Sequence, residues 1–488
     1  MATEKQETPG MKREVYPVTD FEQGIVGWDS QDDPLNPRKY APVRKWFLLS
    51  LVSIITFISP FASSVFAPGA ADADLDFGNT SSVLTTLEVT AYLFGYGFGP
   101  LFLSPLSEAH GRRIILNIST TFFVLFQIGC ALAPNLDSLI VFRLLTGIGG
   151  SACLTIGGGV VADLFEAEER GLAMSIFAGG PVLAPILGPV CGGFITQDLG
   201  WRWIFWILAI AGGVFTAFVA IFNRETNPTV LLRRKTVRLR NELNRPELHS
   251  CYEKDTSTEN MGVIHLILNL LTPIRLLVRS PITLIIAVYI ATVYGCLYLL
   301  FTTITTVFQD IYGWSVAISG LAYLGLGFGA LASQVLFGIV SDRIIRRQKA
   351  RNNGVFKPEM RLPISVFFAI FVPISFFWYG WSVQAHTHWI VPIIGLFPFS
   401  FGMMGILATL QTYVIDCYPR YAASGVAAIT VTRSLFGALL PLAGPYMYRA
   451  LGYGWGNSLL GFVTLAMIPI PLLLTWVGAS LRERGTFV

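Results

Sequence analysis

The sequence predicts an all-α membrane protein, with twelve transmembrane helices arranged as two six-helix pseudo-repeat bundles. Three observations predict it. Of the 488 residues, 53% are hydrophobic and only 13% charged, against about 25% charged in an average soluble protein, so too few polar side chains remain to cover a water-facing surface. Twelve apolar runs are each long enough to cross a bilayer, which takes about 20 helical residues. A long polar stretch divides these runs six and six.

In lipid each segment must satisfy its own backbone polar groups, so a long apolar run there becomes a helix. Residues 1–45 are polar and mixed in charge, which predicts a disordered cytosolic segment. Nothing before Trp46 has the pattern of a signal peptide, so the first apolar run reads as an uncleaved first span. The N-terminal bundle, 46–222, then holds spans 46–68, 83–104, 114–134, 138–162, 171–196 and 203–222. A cytosolic central loop, 223–280, follows. The C-terminal bundle, 281–480, holds spans 282–308, 317–341, 362–382, 389–414, 421–447 and 457–479, and 481–488 reads as a cytosolic tail.

The two halves share a charged turn. After span two the chain reads Ser104-Pro-Leu-Ser-Glu108-Ala-His-Gly111-Arg112-Arg113; after span eight it reads Gly338-Ile-Val-Ser-Asp342-Arg343-Ile-Ile-Arg346-Arg347. An acid followed four and five residues later by two arginines, at equivalent places in a six-plus-six pattern, supports an internal repeat. The placement of Lys and Arg orients the chain. Both charged turns, and the central loop with Arg233, Arg234, Lys235, Arg238 and Arg240, fall on one face. The other face carries Asp72, Asp74, Asp76, Asp137, Asp198 and Asp310. Both termini are therefore expected in the cytosol. Within the loop, Val230, Leu231, Val237 and Leu239 lie among those basic residues from Pro228 to Leu243, the pattern of an amphipathic helix on the inner leaflet or of a solvated charge run. Asn79-Thr80-Ser81 is a glycosylation sequon on the outer side.

Ionisable groups deep in a span are costly and are functional candidates by default. Three stand out: Glu88 in span two, Arg143 in span four and Arg433 in span eleven. Glu88 and Arg143 each sit about five residues in from the outer face, roughly 8 Å at the helical rise. Glu88 shares its helix face with Thr85, Tyr92, Gly95 and Gly99; Arg143 shares one with Gly147, Gly150 and Ser151. Small and polar faces point to protein neighbours or a cavity. The expectation is an ion pair at matched depth that takes up and releases a proton, or a static pair that locks two helices. Asp163, Glu166, Glu168, Glu169 and Arg170 cluster at the inner end of span four, and with Glu108, Arg112 and Arg113 they could form a gating network. Span five carries Gly179-Gly180-Pro181, Pro185, Gly188-Pro189 and Gly192-Gly193, suited to a helix that bends or slides, or to close static packing. Tyr289, Tyr294, Tyr298, Thr302, Gln411 and Tyr413 supply polar aromatics and amides in spans seven and ten. Such walls suit bulky, weakly polar ligands, and Tyr92, Tyr294, Tyr298 and Gln411 are the lining candidates.

Other features exclude function classes. The six cysteines have neither zinc nor disulfide spacing. Gly147-Ile-Gly149-Gly-Ser-Ala152 and Gly325-Leu-Gly327-Phe-Gly329 have no strand before them, so they are not dinucleotide fingerprints. His386 and His388 lack acidic or cysteine companions. No Walker motif occurs, so ATP is not the energy source. No cofactor, metal, nucleic-acid partner or enzymatic activity is expected.

The chain resembles the major facilitator superfamily, and within it the twelve-span drug:proton antiporters of fungi, from about Trp46 to its end. The turn Ser104–Arg113 is similar to the superfamily's signature between spans two and three, with Ser104 for the usual glycine and Glu108 for the usual aspartate. Gly95-Tyr-Gly-Phe-Gly99-Pro100 is typical of the fungal branch. Arg143 with Gly147 and Gly149 is similar to the span-four motif linked to proton coupling, with Thr146 for its usual glutamine. Gly180-Pro181 through Gly188-Pro189-Val-Cys-Gly192-Gly193 is similar to the span-five antiporter motif, which favours efflux. Arg224-Glu225-Thr226, Tyr294-Gly295, Gln411 and Arg433-Ser434-Leu-Phe-Gly437 also read like this branch. The resemblance implies a monomeric plasma-membrane exporter of drugs, toxins or secondary metabolites, driven by protons through alternating access. An uptake carrier, a uniporter, or an exporter of organic acids or polyamines is the alternative. The substrate itself is not legible.

Overall fold

The computed structural model describes residues 16–166, 169–252, 273–352, 357–418 and 422–484. Long helices dominate it. In the first half these are α1 (Pro42–Ser64), a short α2 (Ala70–Phe77), α3 (Ser82–His110), α4 (Arg112–Ala131), α5 (Leu136–Leu164), α6 (Arg170–Leu199) and α7 (Arg202–Phe222). The central segment forms α8 (Pro228–Leu243). The second half holds α9 (Pro281–Tyr312), a short α10 (Val316–Gly320), α11 (Leu324–Arg351), α12 (Leu362–Ala369), α13 (Phe371–Gln384), α14 (Ile390–Cys417), α15 (Ala422–Met467) and α16 (Pro469–Arg484). α15 breaks at Gly452, where φ is +70°, so its two arms serve as two spans. Among the described residues, ten stretches are long and apolar enough to cross a membrane, including Ser424–Gly478, which contains that break. With α3 added, and with that break separating a first arm from a second that continues into α16, the described residues hold twelve membrane-length helical stretches, six in each half.

The apolar runs become helices for the solvent reason given above, and punctuation residues end them. Asn135 caps α5 through Ser138, Ser280 caps α9 through Thr283, and Gly78 and Gly313 close α2 and α9 in the left-handed region. Most helix ends fall within a few residues of the expected bounds, but the helix of span two runs past 104 to His110 and that of span eight runs past 341 to Arg351.

In the first bundle α5 packs against α3 and α4, α1 against α6, and α4 against α7. In the second, α9 packs on α15, α14 on α11 and α13, and α13 on α15. The second bundle has one continuous core, with Tyr298, Phe301, Phe376 and Phe399 among its members. The first has two, one at each end. The halves meet along α3 against α15 and α6 against α10 and α11. We call the end bearing Arg112 and α8 the basic end, and the end bearing α2 the acidic end.

Residues 1–15 lie outside the described residues, but 16–45 depart from the expected disorder. β1 (Ile25–Val26) pairs in parallel with β2 (His249–Ser250), and Tyr16 and Trp28 pack on Leu232 of α8. Lys235 binds Asp29 at 2.7 Å. The segment's average polarity conceals a few strong anchors, Val26 and Trp28, which are buried. They occupy the apolar side of α8 expected against lipid, and Arg233, Arg234 and Val237 remain exposed on its other side. Glu168 and residues 485–488 of the expected tail lie outside the described residues, as do the side chains of Arg170 and Asp342.

Candidate functional site

The α3–α5 contact is unusually close because glycines line it. A Cβ on Gly95 would lie 1.9 Å from the Leu144 carbonyl oxygen, and one on Gly147 would lie 2.0 Å from that of Tyr92. This approach brings Arg143 of α5 against the backbone of α3. Arg143 is fully buried. Its Nε donates to the Glu88 carbonyl at 3.1 Å and its terminal nitrogens to the carbonyls of Ala62 (2.9 Å), Ser63 (3.4 Å) and Val89 (2.9 Å). Ala62 and Ser63 belong to the last turn of α1, whose carbonyls have no partner within their own helix. A cation there also complements the negative end of the helix dipole. The guanidinium is boxed by the rings of Phe66, Tyr92 and Phe205 at 5.3–5.8 Å.

The expected ion pair fails here: Arg143 does not pair with the Glu88 carboxylate but binds that residue's carbonyl oxygen. Of the two surroundings its small-residue face allowed, protein neighbours or a cavity, Arg143 has the first, with four bonds to backbone carbonyls and three rings around it. Glu88 itself is fully buried, and neither of its carboxyl oxygens has a hydrogen-bond partner. A charged carboxylate in that setting is expensive, whereas a carboxyl carrying a proton, or meeting a donor in another conformation, is tolerable.

A second polar cluster lies on the seam between the halves. Tyr298 of α9 shares a hydrogen bond with Ser63 of α1 at 2.9 Å, so the end of α1 touches both Arg143 and the opposite bundle. Tyr92 bonds Ser59 at 2.9 Å and stacks on Tyr96, whose buried hydroxyl has no partner. Across the seam, Arg433 of α15 sits 5.0 Å from the ring centre of Tyr294 with a buried, unbonded Nε. Tyr294 and Tyr298 therefore meet near the middle of the seam with Arg433 beside Tyr294, whereas Tyr92 is turned into the first bundle, between Ser59 of α1 and Arg143 of α5. Gln411 on α14 is half-buried and makes no hydrogen bond among the described residues.

The glycines of α6 do two jobs. Cβ atoms on Gly188 and Gly192 would strike the end of α1, at Ser64 Oγ (2.2 Å) and the Val65 carbonyl (1.9 Å), while one on Gly193 would meet Val316 of the other half at 2.7 Å. Gly180 approaches Phe57 more loosely, at 3.4 Å. Pro181 and Pro189 lie inside the helix. Gln197 accepts from the Ala317 amide at 3.2 Å. These contacts join the halves from the bundle centre to the acidic end.

At the basic end part of the charged cluster gathers around Arg112, with one unexpected centre. Arg112 reaches Asp163 (3.4 Å), Ser107 (2.7 Å) and, at 4.0 Å, Glu108. Arg113 donates to the Ala220 carbonyl. The centre is Glu225, whose carboxylate accepts from the amides of Arg112 (2.9 Å), Arg113 (3.3 Å), Thr226 (3.1 Å) and Asn227 (2.9 Å). It caps the start of α4 from beyond the end of α7, a link 113 residues long in the chain that no local spacing reveals. Asp163 also accepts from Thr226. Glu166 instead meets Tyr16 (3.1 Å) and Lys39 (3.3 Å) of the N-terminal strap. Arg343 is exposed.

The sequon is committed elsewhere. Asn79 Nδ2 donates to Asp74, Ser81 and Thr85, bonds that a glycan on that nitrogen would displace. Among the described residues no group of three or more His, Cys, Asp or Glu could hold a metal. A groove of about 670 Å³, lined by Trp314, Phe328, Trp389 and Phe397, opens on the side of the second bundle and contains none of the candidate residues.

With this geometry in hand, the likenesses to known proteins are specific. The profile of the Major Facilitator Superfamily matches residues 52–441. The MFS-type transporter hepF of Aspergillus oryzae is 42% identical over 98% of this chain and 99% of its own. The efflux pump radE of Floropilus chiversii is 43% identical over 95% of this chain and 86% of its own. Among solved structures, a partially occluded inward-open form of the xylose transporter XylE from E. coli superposes with a TM-score of 0.65 at 16% identity, covering 89% of this chain and 97% of that one.

Proposed function

The chain belongs to the Major Facilitator Superfamily, and on that premise we propose that it is a proton-coupled exporter of small organic molecules working by alternating access. One observation carries the reading: the two six-helix halves are joined from the centre to the acidic end, with an aromatic cluster and Arg433 on the seam between them. A ligand bound there is reached from whichever end is open. With the basic end assigned to the cytosol, this conformation is closed on the outside, and both termini lie inside a plasma-membrane protein acting as a monomer. Tyr294, Tyr298 and Arg433 bring aromatic rings and an unbonded donor to the seam, which suits bulky and weakly polar ligands. That one relative, radE, is named an efflux pump supports export as the direction.

Glu88 carries the proton in this scheme, and Arg143 is a positioning residue that holds the α3 backbone at Glu88 against the end of α1. A proton moved inward across 100 mV supplies about 2.3 kcal/mol per charge, enough to drive useful accumulation. In inside-out vesicles with an acid lumen, a fluorescent dye should accumulate and a protonophore should stop it; accumulation that ignores the protonophore overturns the coupling. Arg143→Ala should abolish gradient-driven export while leaving the protein inserted. Arg143→Lys should restore only part, because an ammonium lacks the planar fork that reaches carbonyls of two helices at once.

A further inference from the structure

We propose that Asp74 and Thr85 form the acidic-end entrance through which a proton reaches Glu88; the proposal rests on the reading of Glu88 as the proton carrier. α2 lays Asp74 against the first turn of α3. There Asp74 Oδ2 accepts from the Thr85 hydroxyl and Oδ1 from the Asn79 amide, both at 2.5 Å. Asp74 and Thr85 are partly exposed. Glu88 follows three residues later on the same face of α3, fully buried and without a partner on either oxygen. An accessible carboxyl, a hydroxyl and a sealed carboxyl thus succeed one another inward over a single helical turn.

No other group competes for this role. From α5, Arg143 is spent on four carbonyls, including that of Glu88 itself. On α2, Asp76 is held by Arg202 at 2.8 Å and Trp201 at 2.9 Å, and Asp72 lies two residues from Asp74. α1 has no ionisable side chain from Trp46 to Ser64. From α15, Arg433 lies over Tyr294, and the charges of α4 are at the basic end. The transfer balances simply. Asp74 takes a proton from external water and passes it to the Thr85 oxygen, while Thr85 gives its own hydroxyl proton to Glu88. One proton moves inward, and Asp74 and Thr85 are restored. The final hop needs the Glu88 side chain to turn toward Thr85, so the closed conformation leaves the relay interrupted and the proton held.

The test needs no substrate. The full-length protein in lipid nanodiscs is subjected to a rapid drop in pH, and the carboxyl C=O infrared band that Glu88→Gln removes is followed in time. Asp74→Asn and Thr85→Val should slow the rise of that band at least tenfold while leaving its final amplitude unchanged, and Thr85→Ser should restore the rate. If Glu88→Gln removes a band whose rate neither variant alters, the entrance is wrong and Glu88 remains the carrier. If Glu88→Gln removes no band, the carrier reading and the entrance both fall.

Discussion

The acid-Arg-Arg turn occurs once in each half of the molecule, and its two copies fold differently. In the first, α3 ends at Gly111, where φ is +107°, and α4 begins at the next residue. In the second, the aligned position is Ile345, and α11 runs through it to Arg351. A branched side chain cannot adopt the backbone that Gly111 adopts without strain. A Cβ at Gly111 would also lie 2.1 Å from a Glu225 carboxyl oxygen. One glycine therefore converts a charged helix end into a tight corner that Glu225 can cap, and Arg112 is drawn into a partly buried network. The aligned Arg346 is exposed. The lesson is that a repeated charge pattern marks a repeated location without fixing a repeated conformation.

The comparison can be broken at its centre. Gly111→Val should cost about 3 kcal/mol or more, from backbone strain together with the clash at Glu225, and should lower the melting temperature in detergent and abolish export. Ile345→Gly, at the matching position, should cost only about 1 kcal/mol as a helix-interior glycine. Similar losses from the two would show that the corner is not what distinguishes the turns. Next in size, Glu225→Gln keeps the shape but removes the charge that accepts four amides. A loss of about 1–3 kcal/mol is expected from these charge-assisted bonds, read as a lower melting temperature.

The gating difference should be smaller and directional. Arg112→Ala should raise the accessibility of an engineered cysteine at the basic end of α5, because it removes the contacts that tie the start of α4 to α3 and α5 and so shifts the balance between conformations that differ in them. Arg346→Ala should change stability by no more than about 0.5 kcal/mol and leave accessibility at the parental value. Equal shifts from both would make the turns functionally alike.

The smallest effect concerns the strap, which braces only the first half. Partial burial raises the pKa of Glu166, but the Tyr16 hydroxyl and the Lys39 and Lys45 ammonium groups outweigh it and hold the carboxyl below the usual carboxylate value. A group lowered in this way adds stability above its unfolded value and loses it as pH falls through the folded one. The strap's contribution should therefore be intact at neutral pH and fade below the ordinary glutamate range, to a degree limited by solvent screening. Tyr16→Phe should narrow that acid-side loss. An acid-side melting profile identical in parent and Tyr16→Phe would remove Glu166 from the account.

Much of the fold was legible because the bilayer acts on each segment separately. A run of about 20 apolar residues must be a helix whatever its neighbours do. Glycine spacing likewise announces a close helix contact before the partner is known, as at Gly95, Gly147, Gly188 and Gly192. Arg112 and Asp163 were legible as members of one charged cluster for the same local reason, since both lie at helix ends on the basic face.

By itself, then, the sequence determined the number and order of the spans, the unequal charge of the two faces and the glycine-lined contacts. Tertiary structure alone decided what the buried charges touch. Depth along a helix suggested that Arg143 would meet the Glu88 carboxylate, but its partners are backbone carbonyls, and a carbonyl carries no residue signature. The unpaired last turn of α1 supplied two of them, and the glycine contact brought α3 close enough to supply the others. The same holds for Glu225, which reaches the start of α4 across the chain's own fold, and for Asp74, placed against Thr85 by the turn at Gly78 between α2 and α3. Ion pairing between distant residues depends on side-chain reach in three dimensions, and periodicity along one helix does not encode it.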